Sequence, residues 1–178
     1  MQKRFASVTD IGRKIGLNDD AGYAVAIFLA LLIVSATVIS YYAFLAPPAE
    51  SYNTIYLLDA NKKAVDYPEV LVADQNSTFN VYVNVENHMT KSANYTVKVK
   101  IVENLPAIFP IDSQLTQPLQ VYETGSLNHN GKPWQTTATV TENTIGSYSV
   151  VFELYQHDDY GSLLFTQNFC VLKIQVVN

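Results

Sequence analysis

The chain has 178 residues, 48% of them hydrophobic, and a formal net charge of −5. Four basic and three acidic residues precede position 21 (+1), whereas seven lysines and thirteen carboxylates follow position 49 (−6). The long acidic part contains no arginine and no basic cluster, which argues against nucleic acid as a partner because such binding needs Lys and Arg gathered on one face. Cys170 is the single cysteine, so no internal disulfide can form.

Residues 21–46 form an uncharged apolar stretch that is long enough to cross a lipid bilayer. A span needs about 20 apolar residues at about 1.5 Å each. The alternative is a cleaved signal peptide, whose apolar core has only about 7–15 residues and ends at small side chains. This stretch instead carries Tyr41, Tyr42 and Phe44 near its end. The sequence therefore predicts one transmembrane α-helix over residues 21–46, with the bilayer as its partner.

Basic residues near the helix predict its orientation, because the flank richer in Lys and Arg stays in the cytoplasm. Four such residues precede the helix, Lys3, Arg4, Arg13 and Lys14, and the first one after it is Lys62. We expect a single-pass protein of the cell membrane with residues 1–20 as a cytoplasmic leader. Residues 47–53 are then a short proline-containing tether, and residues 54–178 an extracytoplasmic domain.

Small residues recur at a spacing of four inside the predicted helix, at Ala26 and Ala30 and again at Ala36 and Ser40. Residues four apart share one face of a helix, and small side chains let two helices approach closely. These four residues are therefore predicted to pack against another helix, and other membrane protein subunits are expected partners. The span contains no ionisable residue, which argues against an ion path through this helix.

After the tether, apolar and polar residues alternate with a period of two, which is typical of half-buried antiparallel strands. Strands are predicted over residues 54–58, 70–72, 79–86, 95–101, 119–122, 134–140, 148–155 and 163–177. Prolines in residues 103–118 predict a long crossover loop, and residues 125–133 a second loop. This pattern predicts an antiparallel immunoglobulin-like β-sandwich of about seven or eight strands.

The same alternation assigns the faces of each strand. The predicted inward residues of three strands are Phe79, Val81, Val83, Val85, Tyr95, Val97, Val99, Ile101, Tyr148, Val150, Phe152 and Leu154. Thr96, Lys98, Lys100 and Glu153 are predicted to point outward. Tyr82 and Tyr155 are also expected on outward faces, where tyrosine is suited to interfaces. Cys170 alternates onto an inward face and is interpreted as a small buried hydrophobe, with a reactive thiol as the alternative.

The histidines are the candidate metal ligands: His88, His129 and His157, with Asp158 and Asp159 as further ligands of the last. All three fall in predicted turns at separate positions, without the close His spacing of a preformed site. We interpret them as solvated loop residues. A blue-copper site requires His and usually Met ligands near its Cys, and no His or Met follows Cys170. The Asp- and Asn-containing turns also lack the alternating acidic ligands of a calcium loop.

The sequence contains no catalytic motif. It has no Gly-x-Ser-x-Gly elbow and no glycine-rich phosphate loop. The carboxylates Glu86, Glu103, Glu142 and Glu153 lie on or near strands, and nothing in the pattern pairs them across a cleft. We expect no enzymatic activity and no cofactor.

Two N-glycosylation sequons are present, Asn76-Ser-Thr78 and Asn94-Tyr-Thr96, and neither has proline in the middle. Sequons also arise by chance, so unused sites are the alternative. The expected extracytoplasmic position favours N-linked glycans at Asn76 and Asn94.

Several short motifs, in this order and spacing, resemble an uncharacterised archaeal membrane-anchored family, the domain of unknown function 1616. The motifs are Asn53-Thr-Ile-Tyr-Leu-Leu-Asp59, Tyr67-Pro68, Val85-Glu-Asn-His88, Asn94-Tyr-Thr-Val-Lys-Val99, Gly131-Lys-Pro-Trp134 and Val151-Phe-Glu-Leu-Tyr155. The resemblance covers the anchor and most of residues 51–178. It implies a cell-surface β-sandwich and supplies no activity and no catalytic residues. Many members carry several membrane helices before this domain, whereas this sequence shows one.

Two classes of function are compatible with these features. The first is a non-enzymatic accessory subunit of a larger membrane protein complex. The second is a cell-surface binding or scaffold module of the archaeal envelope. A pilin-like filament subunit is a third class, but it requires processing just before Ala21. The adjoining Asp19-Asp20 does not resemble the usual peptidase site.

Overall fold

The computed structural model describes residues 20–45 and 50–178, in two compact units that divide between Ala49 and Glu50. The first unit contains helix α1, Asp20–Ser40, which continues as a π-helical segment, Tyr41–Leu45. Helix α1 begins one residue before the predicted span. Together the two helical segments contain Gly22–Leu45, which includes an 18-residue stretch with a mean hydropathy of 2.5 and is long and apolar enough to cross a membrane. The predicted leader up to position 19, the end of the predicted span and the prolines of the tether lie outside the described residues.

The second unit contains eight β-strands. They are β1 Asn53–Leu58, β2 Val70–Val72, β3 Thr78–Asn87, β4 Ala93–Val102, β5 Gln120–Leu127, β6 Trp134–Thr141, β7 Gly146–His157 and β8 Leu163–Val177. Strands β2 and β8 have the predicted bounds. The largest difference is in β5, which contains Gly125 although this glycine was expected to begin a loop. Gly125 has a φ of +68° beside a register shift between β4 and β5, so it forms a bulge rather than a turn.

The strands form a three-stranded sheet, β1-β3-β6, and a five-stranded sheet, β2-β8-β7-β4-β5. Neighbouring strands are antiparallel except for β2 and β8, which are parallel. Strands β1, β3 and β6 take the places of A, B and E in an immunoglobulin domain, and β5, β4, β7 and β8 those of C′, C, F and G. The predicted immunoglobulin-like sandwich is confirmed, with one parallel pair that the alternation did not reveal.

The facing sides of the two sheets enclose one hydrophobic core. The predicted inward residues of β3, β4 and β7 are all buried in it, except Ile101, which packs against it while partly buried. Burying one such aliphatic or aromatic side chain is worth about 1.5–3 kcal/mol. This core therefore supplies the main stabilisation of the domain.

The crossover loop, predicted over residues 103–118 and observed over residues 103–119, covers part of the outer face of the five-stranded sheet. Ile111 in this loop is 6% exposed and forms hydrogen bonds with side chains of β4 and β7. Thr96, Lys100, Glu153 and Tyr155 were predicted to point outward into solvent, but the structure buries all four. The prediction was wrong because alternation distinguishes the two faces of a strand and does not show that a distant loop covers the outer one.

Side chains cap both edges of the three-stranded sheet. On the β1 edge, alternate carbonyl oxygens accept side-chain hydrogen bonds: Asn53 from Asn168, Ile55 from Cys170 and Leu57 from Tyr67. On the β6 edge, Gln120 donates to the Thr139 carbonyl at 2.7 Å and Tyr122 to the Thr137 carbonyl at 3.3 Å. Unpaired strand edges are sites of pairing with other chains. These caps occupy carbonyl groups that such pairing would use.

Candidate functional site

Three loops meet at one end of the sandwich, which we call the loop end. They connect β3 to β4, β5 to β6 and β7 to β8, over residues 88–92, 128–133 and 158–162. Ser92 Oγ lies 3.0 Å from Asn128 Oδ1, and Lys91 Nζ lies 3.7 Å from Asp159 Oδ1, so side chains link each loop to another. The topology thus gathers turns that are far apart in the sequence.

Asn87, the last residue of β3, is buried beneath the loop end and forms hydrogen bonds with several of its segments. Its buried amide donates hydrogen bonds to the carbonyl groups of Lys91 at 3.0 Å and Leu127 at 2.7 Å. Its side-chain oxygen accepts the Met89 N–H at 2.9 Å and the Tyr95 hydroxyl at 3.1 Å. These contacts use both donors and both acceptor positions of the amide. Asn87 therefore fixes the β3–β4 loop to the end of β5.

A cleft of about 500 Å³ opens at the loop end. Its lining combines amide and hydroxyl side chains, one aromatic ring and charged side chains at the rim: Asn53, Asn94, Ser126, Gln156, Thr166, Phe165, Lys91, Asp158 and Asp159. Small-molecule sites have volumes of about 300–1,000 Å³. The cleft is therefore large enough for a small ligand, and its hydrogen-bonding groups suit one rich in hydroxyl or amide groups.

Asn94, one of the two predicted glycosylation residues, lines this cleft with an exposed side chain. It belongs to β4, which is hydrogen-bonded between β5 and β7. The next two residues, Tyr95 and Thr96, are 0% and 2% exposed, and the Thr96 hydroxyl lies 2.8 Å from His157 Nε2. The amide of this sequon therefore faces solvent while its hydroxyl is buried.

Asn76, the other predicted glycosylation residue, lies at the opposite end of the sandwich, in the turn between β2 and β3. Its side chain is exposed, and its backbone forms two hydrogen bonds with Val72. Thr78, which supplies the hydroxyl of this sequon, is an exposed residue at the start of β3 and lies 2.8 Å from the Thr141 hydroxyl. The two sequons differ in a property that the motif does not encode, the burial of the hydroxyl.

His88 lies in a hydrogen-bonded cluster beside the loop end. Its Nε2 is 2.9 Å from Glu86 Oε2, its Nδ1 is 2.6 Å from Asn130 Oδ1, and its ring stacks on Tyr52. Tyr56 donates to the second oxygen of Glu86 at 2.9 Å. Both ring nitrogens face acceptors, so the hydrogen bonds with Glu86 and Asn130 raise the pKa of His88. The hydrogen bond from His88 lowers the pKa of the Glu86 carboxyl.

The candidate metal ligands are hydrogen-bonded or ion-paired with other groups, and Asn130 contacts both His88 and His129. Their partners are Asn130 for His129, Thr96 for His157, backbone N–H groups of its own turn for Asp158, and Lys91 for Asp159. In the part of the chain that the structure describes, no group of three His, Cys, Asp or Glu side chains could hold a metal ion. The loop end is therefore a hydrogen-bonded surface.

The predicted helix-packing residues all lie on α1. At about 100° per residue, Ala26, Ala30 and Ser40 fall within an arc of about 80°, and Ala36 lies about 40° beyond Ser40. Thr37 falls within the same arc, and its hydroxyl donates to the carbonyl one turn earlier at 2.8 Å. Ile33 also falls within this arc, between Ala30 and Thr37, so the face has small side chains on both sides of one large residue.

Cys170 lies on the inward side of β8, as predicted, and packs against the core while partly buried. Burial raises the pKa of its thiol to about 11. The thiol lies 3.4 Å from the Ile55 carbonyl oxygen, as part of the β1 edge caps. These contacts describe a structural cysteine.

Tyr82 and Tyr155, singled out as interface candidates, have different surroundings. Tyr82 is half-buried, with Lys62 Nζ 5.2 Å from its ring centroid. Tyr155 is 6% exposed, with Lys98 Nζ 4.4 Å from its ring centroid. Tyr155 is therefore too buried to contact another protein.

Sequence reasoning missed the buried polar groups. Lys100 and Glu153 form a completely buried ion pair, and Asn87, which lies just beyond the predicted end of its strand at residue 86, is buried as well. Opposite charges at outward positions of two strong strands were an available signal for the pair. These charges indicate an ion pair only once β4 and β7 are known to be neighbours. Their register places Lys98 directly opposite Glu153.

Among solved structures, the chain is similar to a CARDB domain from Pyrococcus furiosus in complex with di-metal ions. The identity is 14%, the match covers 72% of this chain and 90% of that one, and the TM-score is 0.46. It is also similar to a β-glucosidase from Listeria innocua in complex with glucose, with 11% identity, 72% and 16% of the two chains covered, and a TM-score of 0.45. A superoxide reductase (neelaredoxin) from Ignicoccus hospitalis has 18% identity, 72% and 84% coverage, and a TM-score of 0.39. Similarity at this level carries no information on function.

No curated protein matches the chain. The family described as a domain of unknown function, DUF1616, matches residues 46–165, which is more than half of the sequence. The matched region contains all of β1 to β7 and every motif on which the resemblance was based. The chain belongs to the DUF1616 family.

Proposed function

We propose that this chain is a non-enzymatic accessory subunit of a larger membrane protein complex, anchored by α1 with its β-sandwich outside the cytoplasm. The helix over Gly22–Leu45 supports the anchor, because it is long and apolar enough to span a bilayer. The four basic residues before the helix support the orientation, because such residues are typical of the cytoplasmic flank.

The observation that carries the proposal is that the small residues Ala26, Ala30 and Ser40 share one face of α1. Lipid tails are as apolar as leucine, so a helix that meets only lipid gains nothing from small side chains. A helix that packs on another helix gains close backbone approach from them. The face that contains Ala26, Ala30 and Ser40 is therefore the surface through which α1 contacts a second helix of the complex.

Replacing both Ala26 and Ala30 by Leu tests this contact. The Ala26→Leu/Ala30→Leu variant becomes more apolar, so it still inserts, but the added bulk overpacks the helix contact. Overpacking costs about 1–3 kcal/mol, which corresponds to roughly a 5- to 150-fold weaker association. After mild detergent extraction, we expect the variant to lose the membrane proteins that co-purify with the natural chain.

A matched control is available on the opposite face of α1. Ala24 and Ser35 lie about 160° and 180° around the helix from Ala26, and the Ala24→Leu/Ser35→Leu variant also gains two leucines. This control should retain the co-purifying proteins. Equal recovery from both double variants would contradict the proposal and leave α1 as a simple anchor.

The orientation has its own test. Protease added to intact cells should digest residues 51–178 and spare the segment before the helix, whereas protease added to lysed cells should digest both. Protection of residues 51–178 in intact cells would reverse the proposed topology without affecting the helix contact.

The absence of enzymatic activity is proposed from the chemistry around the cleft. His157 lines the cleft and lies 2.8 Å from the Thr96 hydroxyl, and such a hydroxyl–imidazole pair resembles a nucleophile with its base. Thr96 is only 2% exposed, however, so a substrate in the cleft cannot reach its hydroxyl. Incubation with ester, peptide and glycoside substrates should give no turnover above that of the Thr96→Val variant.

The loop-end cleft favours a second candidate function, a binding or scaffold module of the archaeal cell surface. Its amide and hydroxyl lining suits polar envelope components such as glycans. If this function holds, substitutions of Gln156 and Phe165 in the cleft should abolish retention on envelope preparations, while the Ala26→Leu/Ala30→Leu variant should bind normally. The opposite pattern supports the accessory subunit.

N-linked glycans at Asn76 and Asn94 are part of the proposal. Both side chains are exposed, and the proposed orientation places them where glycans are added. The intact mass of the native protein should then exceed the 19.8 kDa of the polypeptide. A native mass equal to that of the bare chain would contradict this part.

A further inference from the structure

We infer that the two sequons accept glycans at different stages: Asn76 in the folded domain, and Asn94 only before β4 has joined its sheet. This inference rests on the proposed extracytoplasmic position of the sandwich. It goes further in assigning an order of modification to two sites that the sequence motif treats as equivalent.

The chemistry of the transfer requires the whole motif. The Asn side-chain nitrogen forms a bond with the anomeric carbon of a lipid-linked oligosaccharide. The bond from that carbon to the phosphate oxygen of the lipid carrier breaks, the amide loses one proton, and the lipid phosphate leaves. The motif Asn-x-Ser/Thr also demands a hydroxyl two residues after the acceptor, so the enzyme must reach both side chains.

In the folded domain, the hydroxyl that the Asn94 sequon needs, that of Thr96, is buried and inaccessible to an enzyme. Thr96 is 2% exposed and hydrogen-bonded to His157 at 2.8 Å. Between the two lies Tyr95, which is 0% exposed in the core and donates its hydroxyl to the buried Asn87. The sequon can reach an enzyme only if Tyr95 leaves the core and β4 separates from both of its neighbours.

Such an opening is close to complete unfolding of the domain. Strand β4 is internal in the five-stranded sheet and pairs with β7 from Tyr95 to Val102. Core strands open only with nearly the full free energy of unfolding, and proteins spend only about 10⁻³ to 10⁻⁶ of the time unfolded. Asn94 in the folded chain should therefore react at least about 1,000-fold more slowly than the same sequon in a free peptide.

Modification of Asn76 does not require the sheet to open. It lies in a turn, and Thr78 is exposed at the very start of β3, where β6 is its partner and β1 does not reach. Turns and strand ends open at little cost in free energy. The rate at Asn76 in the folded chain should stay within about tenfold of the rate in a free peptide.

The glycan at Asn94 remains compatible with folding after its transfer. The Asn94 side chain is exposed and opens into the cleft of about 500 Å³. Ser126 and Gln156 there offer hydrogen bonds to sugar hydroxyl groups, and Phe165 offers an apolar ring. The first sugar of a glycan at Asn94 thus has a place beside the folded sheet.

The test uses the full chain, produced without glycans in a host that lacks N-glycosylation and purified in mild detergent. It is incubated with purified oligosaccharyltransferase and a lipid-linked oligosaccharide, alongside free peptides of residues 71–83 and 89–101. Mass spectrometry gives the rate at each site. The expected result is modification of both peptides at similar rates, with only Asn76 modified in the folded chain.

Two valine variants supply the mechanistic control, because neither alters a sequon. Val97→Ala removes buried volume from β4, where Val97 is 0% exposed, and should raise the rate at Asn94 about tenfold by populating the open sheet. Val121→Ala, at a position that is 51% exposed on β5, should leave both rates unchanged.

Three results would overturn the inference: modification of Asn94 in the folded chain at the peptide rate, no modification of the residue 89–101 peptide, or a folded Asn76 that does not react. The purified assay does not depend on which side of a membrane the domain occupies. If the assay succeeds but both sites are bare in cells, the proposed topology fails and the order of reactivity stands.

Discussion

Lys100 Nζ lies 3.1 Å from Glu153 Oε2, and both side chains are completely buried between the five-stranded sheet and the crossover loop. Ile111 in the loop completes the site, because its carbonyl accepts a hydrogen bond from Lys100 and its N–H donates to Glu153 Oε1 at 2.5 Å. Tyr155 donates to Glu153 Oε2 at 2.9 Å. A buried ion pair persists only when such hydrogen bonds satisfy it. The pair therefore depends on the loop, and the loop is held by the pair.

Removing one charge of this pair should destabilise the domain strongly. In the Lys100→Met variant, the carboxylate of Glu153 stays buried without its cation, and breaking a buried pair in this way costs about 3–5 kcal/mol. Urea unfolding of the full chain in detergent, followed by tryptophan fluorescence, measures this loss. Limited proteolysis should also cut residues 103–119 faster, because the loop loses its hydrogen bond to Lys100.

Lys173 provides the matched control, since it is an exposed lysine on β8. Lys173→Met should change the free energy of unfolding by no more than about 0.5 kcal/mol. The double variant Lys100→Met/Glu153→Leu should lose less than the sum of its single changes, because no charge remains unpaired. A loss below about 1 kcal/mol for Lys100→Met would show that the pair does not hold the loop.

Asn87 and Tyr95 should differ in the cost of their removal, although they share a hydrogen bond. Tyr95→Phe deletes the hydroxyl and leaves the Asn87 oxygen still bonded to Met89, so we expect a loss of about 0.5–1.5 kcal/mol. Asn87→Ala removes the partner of four groups, and each buried group left unsatisfied costs about 1–3 kcal/mol. We expect at least about 3 kcal/mol for this variant in the same urea experiment. Equal losses for both variants would contradict the assigned role of Asn87.

The His88–Glu86 pair should make stability depend on pH. The pKa of His88 is raised, so its contribution is complete below the unfolded value of about 6.5 and is lost as the pH rises through the raised folded value. The pKa of Glu86 is lowered, so its contribution is present above about 4.3 and is lost as the pH falls through the lowered folded value. The pair therefore contributes most between about pH 4.3 and 6.5.

Glu86→Gln isolates this contribution from other titrating groups. The urea midpoint of the natural chain should exceed that of the variant at pH 6, and the difference should shrink towards pH 9 as the pH rises through the raised pKa of His88. A difference that stays constant from pH 6 to pH 9 would mean that the charge on His88 does not contribute.

The regular strands were predictable because their two faces have different surroundings. In β3, Phe79, Val81, Val83 and Val85 face the core, and the period of two in the sequence reports that contrast directly. The same reasoning fails in β5, where Gly125 forms a bulge inside a strand. A glycine permits both a turn and a bulge, so only the pairing with β4 decides between them.

The polar parts of the candidate site were less predictable, because contacts between distant segments create them. Asn87 and His88 are neighbours in the sequence, yet one is a buried centre of hydrogen bonds and the other half-exposed in an ionic cluster. Both sequons likewise satisfy the same motif, while Thr96 is buried by its neighbours and Thr78 is not. Propensity and motif describe the residue, whereas burial is a property of the assembled sheets.

Cys170 should resist thiol reagents in the folded chain. The thiolate is the reactive form, and a pKa of about 11 leaves its fraction at pH 8 about 100-fold below that of a thiol with a pKa near 9. Burial against the core slows reaction further by limiting access. We therefore expect disulfide reagents to label Cys170 at least about 100-fold more slowly in the folded chain than in urea. Labelling at equal rates in both conditions would mean that the β1 edge cap opens readily, because Cys170 can react only when its contact with Ile55 is broken.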